Sequence, residues 1–297
     1  MGVDVQVFGA GSLGSLIGGL LSHAGLDVRL VGRQSHVSEI RRNGLRIEGK
    51  ENLTVYPEAS TSPGDAEVTL VTVKSYDTRE AAESLRGRQN VVVSLQNGMG
   101  NEETLSSVTD CRVLAGTTTY GASLRQPGVV GYTGAGTVEV GDPDGGVSET
   151  ADDVVALLSK GIDVQVRDDM PRRLWSKTAV NAGINPVTAI TRLTNGEVIE
   201  DDGLRHIVEK AAREVEEVAS SEGVDIDGSG DRAVEVARAT APNYSSMLQD
   251  LRSRRRTEID AINGYVVEIA NSRGVDVSLN QTLTALVRGA QKSYLNG

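Results

Sequence analysis

The stretch VDVQVFGAGSLGSLIGGLLSHAGLDVRLVG, residues 3 to 32, confines the chain to few folds. VDVQVF reads as a buried strand. Gly9, Gly11 and Gly14 then turn the chain, and Leu13, Leu16, Ile17, Leu20 and Leu21 recur at helical spacing. LDVRLVG is a second strand. A G-x-G-x-x-G pattern at the strand–helix junction of a βαβ unit points to a dinucleotide site. The first glycine permits the turn, the second lets a pyrophosphate approach the backbone, and the third lets helix and strand pack closely. The helix N-terminus then favours the negative charge. Gly9, Ala10, Gly11, Ser12, Leu13 and Gly14 are therefore expected to cradle a dinucleotide.

The alternation continues. A helix around 35–43 ends at Gly44, strands fit 66–73 and 90–98, and a helical stretch around 76–86 separates them. This is the pattern of a doubly wound parallel sheet. From 112 to 141 the Gly- and Thr-rich segments GVVGYT and GTVEVG suggest antiparallel pieces closing the domain. A helix near 148–160 and a strand at 162–166 follow. Beyond about 168 strand signals vanish. Leu204, Ile207, Val208, Ala211, Val215 and Val218 mark a helix over 201–222, and further helices fit 229–240, 256–273 and 280–295. The expected class is α/β: an N-terminal Rossmann-type doubly wound sheet in a dinucleotide-binding domain, 1–167. An all-α domain, 168–297, is expected to carry substrate binding and catalysis.

NAD sites place an acid at the end of the second strand, where it accepts from the ribose 2′-hydroxyl. This chain has LVGRQS there, and Arg33 suits a 2′-phosphate, so NADP (as NADPH) is the expected cofactor. A net charge of −11 excludes a basic nucleic-acid surface. No apolar run is long enough to span a membrane. The single Cys111 cannot form an internal disulfide, which fits a reducing cytoplasm. Lysines number only 6 among 30 cations, and aromatics are 3%; this acid-rich composition suits high salt, where screening relieves self-repulsion.

A nicotinamide cofactor implies hydride transfer, and carbonyl reduction also needs a proton donor. No Tyr is followed four residues later by Lys. One Cys and three scattered histidines, His23, His36 and His206, make no zinc site, so no metal is expected. Lysine remains. In WSKTAVNAGINPVTAITRLTNG, residues 175–196, Lys177, Asn181 and Asn185 lie four apart, one above another on a helix face among small and apolar residues. Burial lowers an ammonium's pKa toward the working range. The two amides would hold a polar substrate. A second polar stretch, 243–265, supplies Ser245, Ser246, Asp250 and Glu258; spacing alone leaves a solvated helix of paired charges equally open.

These motifs, with VKSYDT (73–78), QNGMGNEE (96–103), GTTTYGA (116–122) and SSMLQDLRSRRRTEIDAINGYV, closely resemble the ketopantoate reductase (2-dehydropantoate 2-reductase) family from residue 3 to about 290. The resemblance implies NADPH-dependent reduction of 2-dehydropantoate to (R)-pantoate, on the route to coenzyme A. It implies Lys177 as general acid and Glu258 as its partner, bonding Lys177 or the substrate and cofactor hydroxyls. Asn181, Asn185, Asn195 and Ser246 would bind substrate, with Asp250 close by in the same motif. Asn97 would sit at the nicotinamide end and touch both ligands. Lys74 would lie by the cofactor ribose, Arg33 on the 2′-phosphate and Ala122 at the cofactor. The family often has Trp-Gln after the Val-Lys pair, where this chain has Ser75 and Tyr76. A reductase of another branched 2-oxo acid, or an NADP-binding sensor without turnover, would share these motifs. The expected partner is a small-molecule substrate, with no nucleic acid and no membrane; a homodimer is left open.

Overall fold

Val5, Gln6 and Val7 have no exposed surface, which puts their strand inside a sheet covered on both faces. The computed structural model describes residues 2–87 and 89–295. Met1, Arg88, Asn296 and Gly297, which fall within the two expected domains, lie outside the described residues. Two units emerge, Met1–Gln96 with Asn101–Met170, and Asn97–Gly100 with Pro171–Gly297.

The first unit runs β1 (Val3–Phe8), α1 (Ser12–His23), β2 (Val28–Val31), α2 (Gln34–Asn43), β3 (Leu45–Gly49), β4 (Leu53–Val55), β5 (Glu58–Ser60), β6 (Ala66–Val71), α3 (Thr78–Leu85), β7 (Gln89–Ser94), α4 (Asn101–Ser106), β8 (Arg112–Thr118), β9 (Gly121–Gln126), β10 (Val129–Gly134), β11 (Val138–Gly141), α5 (Glu149–Leu158) and β12 (Val164–Val166). The large sheet has the order β12-β11-β8-β7-β6-β1-β2-β5. β1 pairs in parallel with β2 (Val5 opposite Val28) and with β6 (Val5 opposite Val68). The strand order reverses at β1, so a crevice opens beyond its C-terminal end, where the glycine turn lies. Leu16, Ile17 and Leu21 of α1 are fully buried against this sheet's core.

A second sheet, β4-β3-β10-β9, was not legible from the pattern. The segment 112–141 is also not simply antiparallel. β8 extends the large sheet parallel to β7 and only then meets β11 antiparallel, while β9 and β10 leave for the small sheet. There β10 runs parallel to β3, a pairing no local spacing reveals. The expected 76–86 helix is a 3-10 turn, Ser75–Asp77, followed by α3, and the strand expected over 90–98 ends at Ser94.

The second unit is helical: α6 (Met170–Thr191, in this unit from Pro171), α7 (Asn195–Glu200), α8 (Asp202–Ser221), α9 (Ser229–Ala239), α10 (Ser246–Arg252), a π turn (Asp260–Gly264), α11 (Tyr265–Arg273) and α12 (Ser278–Leu295). Ala179, Ala182, Val208, Ala211, Val215, Val266 and Val287 share its core. Small residues let backbones approach: a Cβ on Gly183 would lie 2.8 Å from the Val208 carbonyl oxygen. The helix expected over 256–273 does not begin at 256. Thr257 sends its N–H and its hydroxyl to Gln291 Oε1 (3.0 and 2.9 Å) instead of into a helical turn. The Gly264 N–H then reaches back five residues to the Ile259 carbonyl, the bond of a π turn.

Candidate active site

In the first unit the glycine turn is fixed by its own collisions. Gly9 has φ 115°, and a Cβ there would lie 2.6 Å from Val73 N. A Cβ on Gly14 would lie 2.5 Å from both the Gly9 carbonyl oxygen and Thr72 Oγ1, atoms already joined by a 2.8 Å hydrogen bond. Gly11 differs: its Cβ would come no nearer than 3.8 Å to anything. Among the described residues nothing crowds Gly11, so bare backbone faces open space there. α1 has no side-chain cap and no acid in its first turn, so its N-terminal N–H groups and dipole suit an anion. Ser12 Oγ accepts the Leu124 N–H (2.9 Å), which draws β9, with half-buried Ala122, toward this turn. The half-buried Leu13 packs on the sheet core. Ala10 donates to the Val31 carbonyl (2.8 Å) and lies 3.0 Å from where a Gly32 Cβ would stand, tying the turn to the end of β2. Arg33 follows as the exposed N-cap of α2, and half-buried Lys74 as the N-cap of the 3-10 turn.

In the second unit α6 carries the polar row. Lys177 and Asn181 are half-buried, and Asn185 is 6% exposed. The side-chain amides of Asn181 and Asn185 have no hydrogen-bond partner among the described residues. Around them Trp175, Ala179, Ala182 and Ile184 are buried. On a largely buried helix the row thus presents amides that are not sealed from solvent and that a polar ligand could engage.

The π turn brings the other groups into the same unit. Glu258, 5% exposed, directly precedes the turn's N-cap Ile259. The Met99 N–H bonds the Ala261 carbonyl at 2.9 Å. Gly98, at φ 84°, leaves no room for a Cβ, which would lie 2.6 Å from that same oxygen. The loop Asn97–Gly100 is thereby docked on the turn that follows Glu258, with Asn97 half-buried at its start. Tyr265, just after the turn, packs its ring 6.2 Å from that of Trp175, tilted by 57°. Lys177's helix, the Asn97 loop and Glu258's turn are therefore held together through Tyr265 and Ala261.

The two serines of the polar stretch do different things. Ser245 is buried; it caps α10 by accepting the Leu248 N–H (3.1 Å) and takes a 2.6 Å bond from the Thr188 hydroxyl. Ser246 is exposed at the first position of α10. Asp250 is 3% exposed, and its carboxylate pairs with Arg255 at 3.2 Å. Asn195 is 7% exposed and donates to Thr240 Oγ1 (2.8 Å), while its Oδ1 has no hydrogen-bond partner among the described residues. It opens α7 behind a capping box formed by Thr194 and Glu197. That box was readable as Thr-x-x-Glu and marks a helix the periodicity missed.

His36 is 3% exposed. Its Nδ1 accepts the Gly128 N–H (3.0 Å), so the neutral ring's proton is on Nε2, which donates to Ser15 Oγ (2.9 Å). Burial holds its pKa below the ordinary value. It ties α2, α1 and the β9–β10 turn, and no sequence signal distinguished it from His23 or His206. Among the described residues no group of three or more His, Cys, Asp or Glu could hold a metal. A cavity of about 370 Å³ in the first unit is lined by His23, Tyr120, Tyr132 and Lys160 and contains none of the expected site residues.

A glycine turn and uncapped helix at the switch point of a parallel sheet, in one chain with a lysine and amides on a buried helix, define a Rossmann-type oxidoreductase. Residues 5–145 match the family described as Ketopantoate reductase PanE/ApbA, and residues 169–291 match its C-terminal domain. The chain belongs to the ketopantoate reductase family. It is 43% identical over 290 residues to a 2-dehydropantoate 2-reductase of Archaeoglobus fulgidus, covering 97% of each chain. It is 41% identical over 300 residues to the Halobacterium salinarum protein of that name, covering 97% of this chain and 99% of the other. The crystal structure of a PanE/ApbA family ketopantoate reductase from Ralstonia eutropha superposes with a TM-score of 0.91 at 31% identity, covering 98% of this chain and 99% of the other.

Proposed function

We propose that the chain reduces 2-dehydropantoate to (R)-pantoate with NADPH, the reaction for which its relatives are named, and that it serves pantothenate and coenzyme A synthesis. The observation that carries this reading is the row Lys177, Asn181 and Asn185 on buried α6, with both amides unengaged. In this reading residues 1–167 bind the dinucleotide and 168–297 bind substrate and carry the acid. Gly9 to Gly14 hold the pyrophosphate, Arg33 the 2′-phosphate, Lys74 the ribose, and Ala122 borders the cofactor. Bound there, the dihydronicotinamide supplies the hydride to the keto carbon.

Lys177 donates a proton from Nζ to the carbonyl oxygen as it becomes a hydroxyl. Glu258 orients Lys177 and accepts from substrate or cofactor hydroxyls. Asn181, Asn185 and Asn195 bond the polar groups of the substrate; the unpartnered Oδ1 of Asn195 is an acceptor awaiting a donor such as a substrate hydroxyl. Ser246 binds the carboxylate, and Asn97 sits at the nicotinamide end. Asp250, paired with Arg255, fixes the loop after α10 beside that contact. NADP rather than NAD rests on Arg33 standing where an acid would otherwise receive the ribose. A cytoplasmic setting rests on a lone cysteine and on the absence, among the described residues, of a helix long and apolar enough to cross a membrane.

The test is consumption of NADPH against a panel of 2-oxo acids, at low and high salt. Turnover is expected with branched 2-oxo acids, fastest with 2-dehydropantoate. Cofactor binding with no turnover on any of them would overturn the reading.

A further inference from the structure

We infer that Asn263 is a positioning residue, which sets the polar face of α6 against the turn that carries Glu258; this rests on the functional reading above. The inference starts from Pro186, inside α6. Proline has no N–H, so the carbonyl four residues earlier, that of Ala182, has no helical donor. Ala182 is fully buried, away from water. Asn263 Nδ2, from the π turn, donates to this carbonyl at 3.0 Å. The vacant acceptor lies between Asn181 and Asn185, one turn along the helix from Lys177.

Asn263 is itself held. Its second Nδ2 hydrogen goes to Asn280 Oδ1 (2.8 Å). Asn280 Nδ2 donates to the Ala211 carbonyl (3.0 Å) and to Glu214 Oε2 (2.8 Å). The buried Glu214 carboxylate also accepts the N–H groups of Leu279 (3.1 Å) and Asn280 (2.9 Å), capping α12. Asn263 and Asn280 are both completely buried. Each amide's direction is fixed by its neighbour: a flipped Asn263 would point oxygen at the Ala182 carbonyl. The order α8, α12, π turn, α6 is thus one rigid series of bonds. Its single unengaged atom is Asn263 Oδ1; the donors, not the acceptor, are what the site retains. A misplacement of about 1 Å can cost a hundredfold in rate, and this series fixes the spacing between the acid's helix and Glu258.

The test compares the parent, Asn263→Ala, Pro186→Ala and the double variant by thermal melting, steady-state kinetics and Trp175 fluorescence. Trp175 is the only tryptophan and packs on Tyr265 next to the π turn. Asn263→Ala should lower both Tm and kcat, kcat by roughly ten- to a hundredfold, with KM for NADPH little changed. Pro186→Ala supplies an N–H at position 186, which can take the Ala182 carbonyl within the helix. The double variant should therefore regain stability, yet keep the low kcat and shifted Trp175 emission of Asn263→Ala. Recovery of kcat and emission along with stability would overturn the inference, because Asn263 would then only fill a vacant acceptor. Parental kcat in a folded Asn263→Ala would overturn it too. Should Asn263→Ala not fold, the double variant alone decides by the same two readouts. A parent without turnover sinks the functional reading instead, and Trp175 emission still decides the tether: a shift in the double variant supports it, and parental emission overturns it.

Discussion

Gly11 and Gly14 stand three residues apart in one motif, yet the structure assigns them opposite costs when replaced by alanine. At Gly14 the new methyl would lie 2.5 Å from the Gly9 carbonyl oxygen and from Thr72 Oγ1, and 2.9 Å from Val7 Cγ1. The first of these is backbone and cannot rotate away, so α1 must shift off β1. Overpacking of this kind costs about 1–3 kcal/mol, which lowers Tm by several degrees. At Gly11 the methyl meets nothing nearer than 3.8 Å, and φ is −90°, open to any residue. Gly11→Ala should melt within about 2 °C of the parent, because the added methyl on this half-buried residue crowds no neighbour and the change stays within roughly ±0.5 kcal/mol. Its methyl would, however, occupy the space assigned to the pyrophosphate. There the same 1–3 kcal/mol falls on the cofactor, weakening NADPH by about five- to more than a hundredfold. Thermal melting and a fluorescence titration of NADPH separate the two. Gly11→Ala that binds NADPH as tightly as the parent would refute the placement of the cofactor on this turn.

Arg33→Asp should weaken NADPH at least about tenfold through loss of a charge-assisted bond of roughly 1.5–3 kcal/mol, and NADH much less; equal losses in a titration would show that Arg33 does not read the phosphate. Lys177→Ala should lower kcat by about 10²–10⁴ with NADPH still bound. Glu258→Ala should fall as well, and the double variant should lose far less than the product of the two, as steady-state kinetics on all four proteins would reveal. His36 is buried and neutral, its pKa held below the ordinary 6.5 by desolvation. Its contribution to stability is therefore complete above pH 6.5 and is lost as pH falls through the lower folded-state value. Urea unfolding should show the gap between parent and His36→Asn narrowing as pH falls from neutral to below 6.5; a constant gap would contradict the assignment.

The large sheet was legible at β1, β2, β6 and β7, each of which is followed by a local helix; β5 and β8, which are followed directly by another strand, carry no such signal. The small sheet was not. LRIEG and LTV are short, and β3's partner β10 is far along the chain, so neither length nor spacing announces the pairing. The polar row of α6 could be read directly, since its three residues recur at four-residue spacing and all precede Pro186. Spacing could not tell Ser245 from Ser246: both are serines beside a helix start, and the burial of Ser245 under Thr188 is a tertiary fact. The π turn was hidden for a similar reason. RRRTEIDAINGYVVEIA has unbroken helical periodicity, and Gln291, which draws Thr257 out of the helix, lies on α12.

The parallel pairing of β3 with β10 has a consequence for synthesis on the ribosome. β3 and β4 emerge early and can pair at once, antiparallel, with Leu45 opposite Val55. The other edge of β3 then waits, its N–H and C=O groups unpaired, until Val129–Gly134 has left the exit tunnel. An exposed strand edge is a template for pairing with the wrong chain. The nascent protein thus passes through an interval in which β3 is open to neighbours on the same polysome, and that interval ends only with β10. A translational pause just before residue 129 would lengthen this vulnerable stage, whereas one after residue 134 would come too late to matter to it.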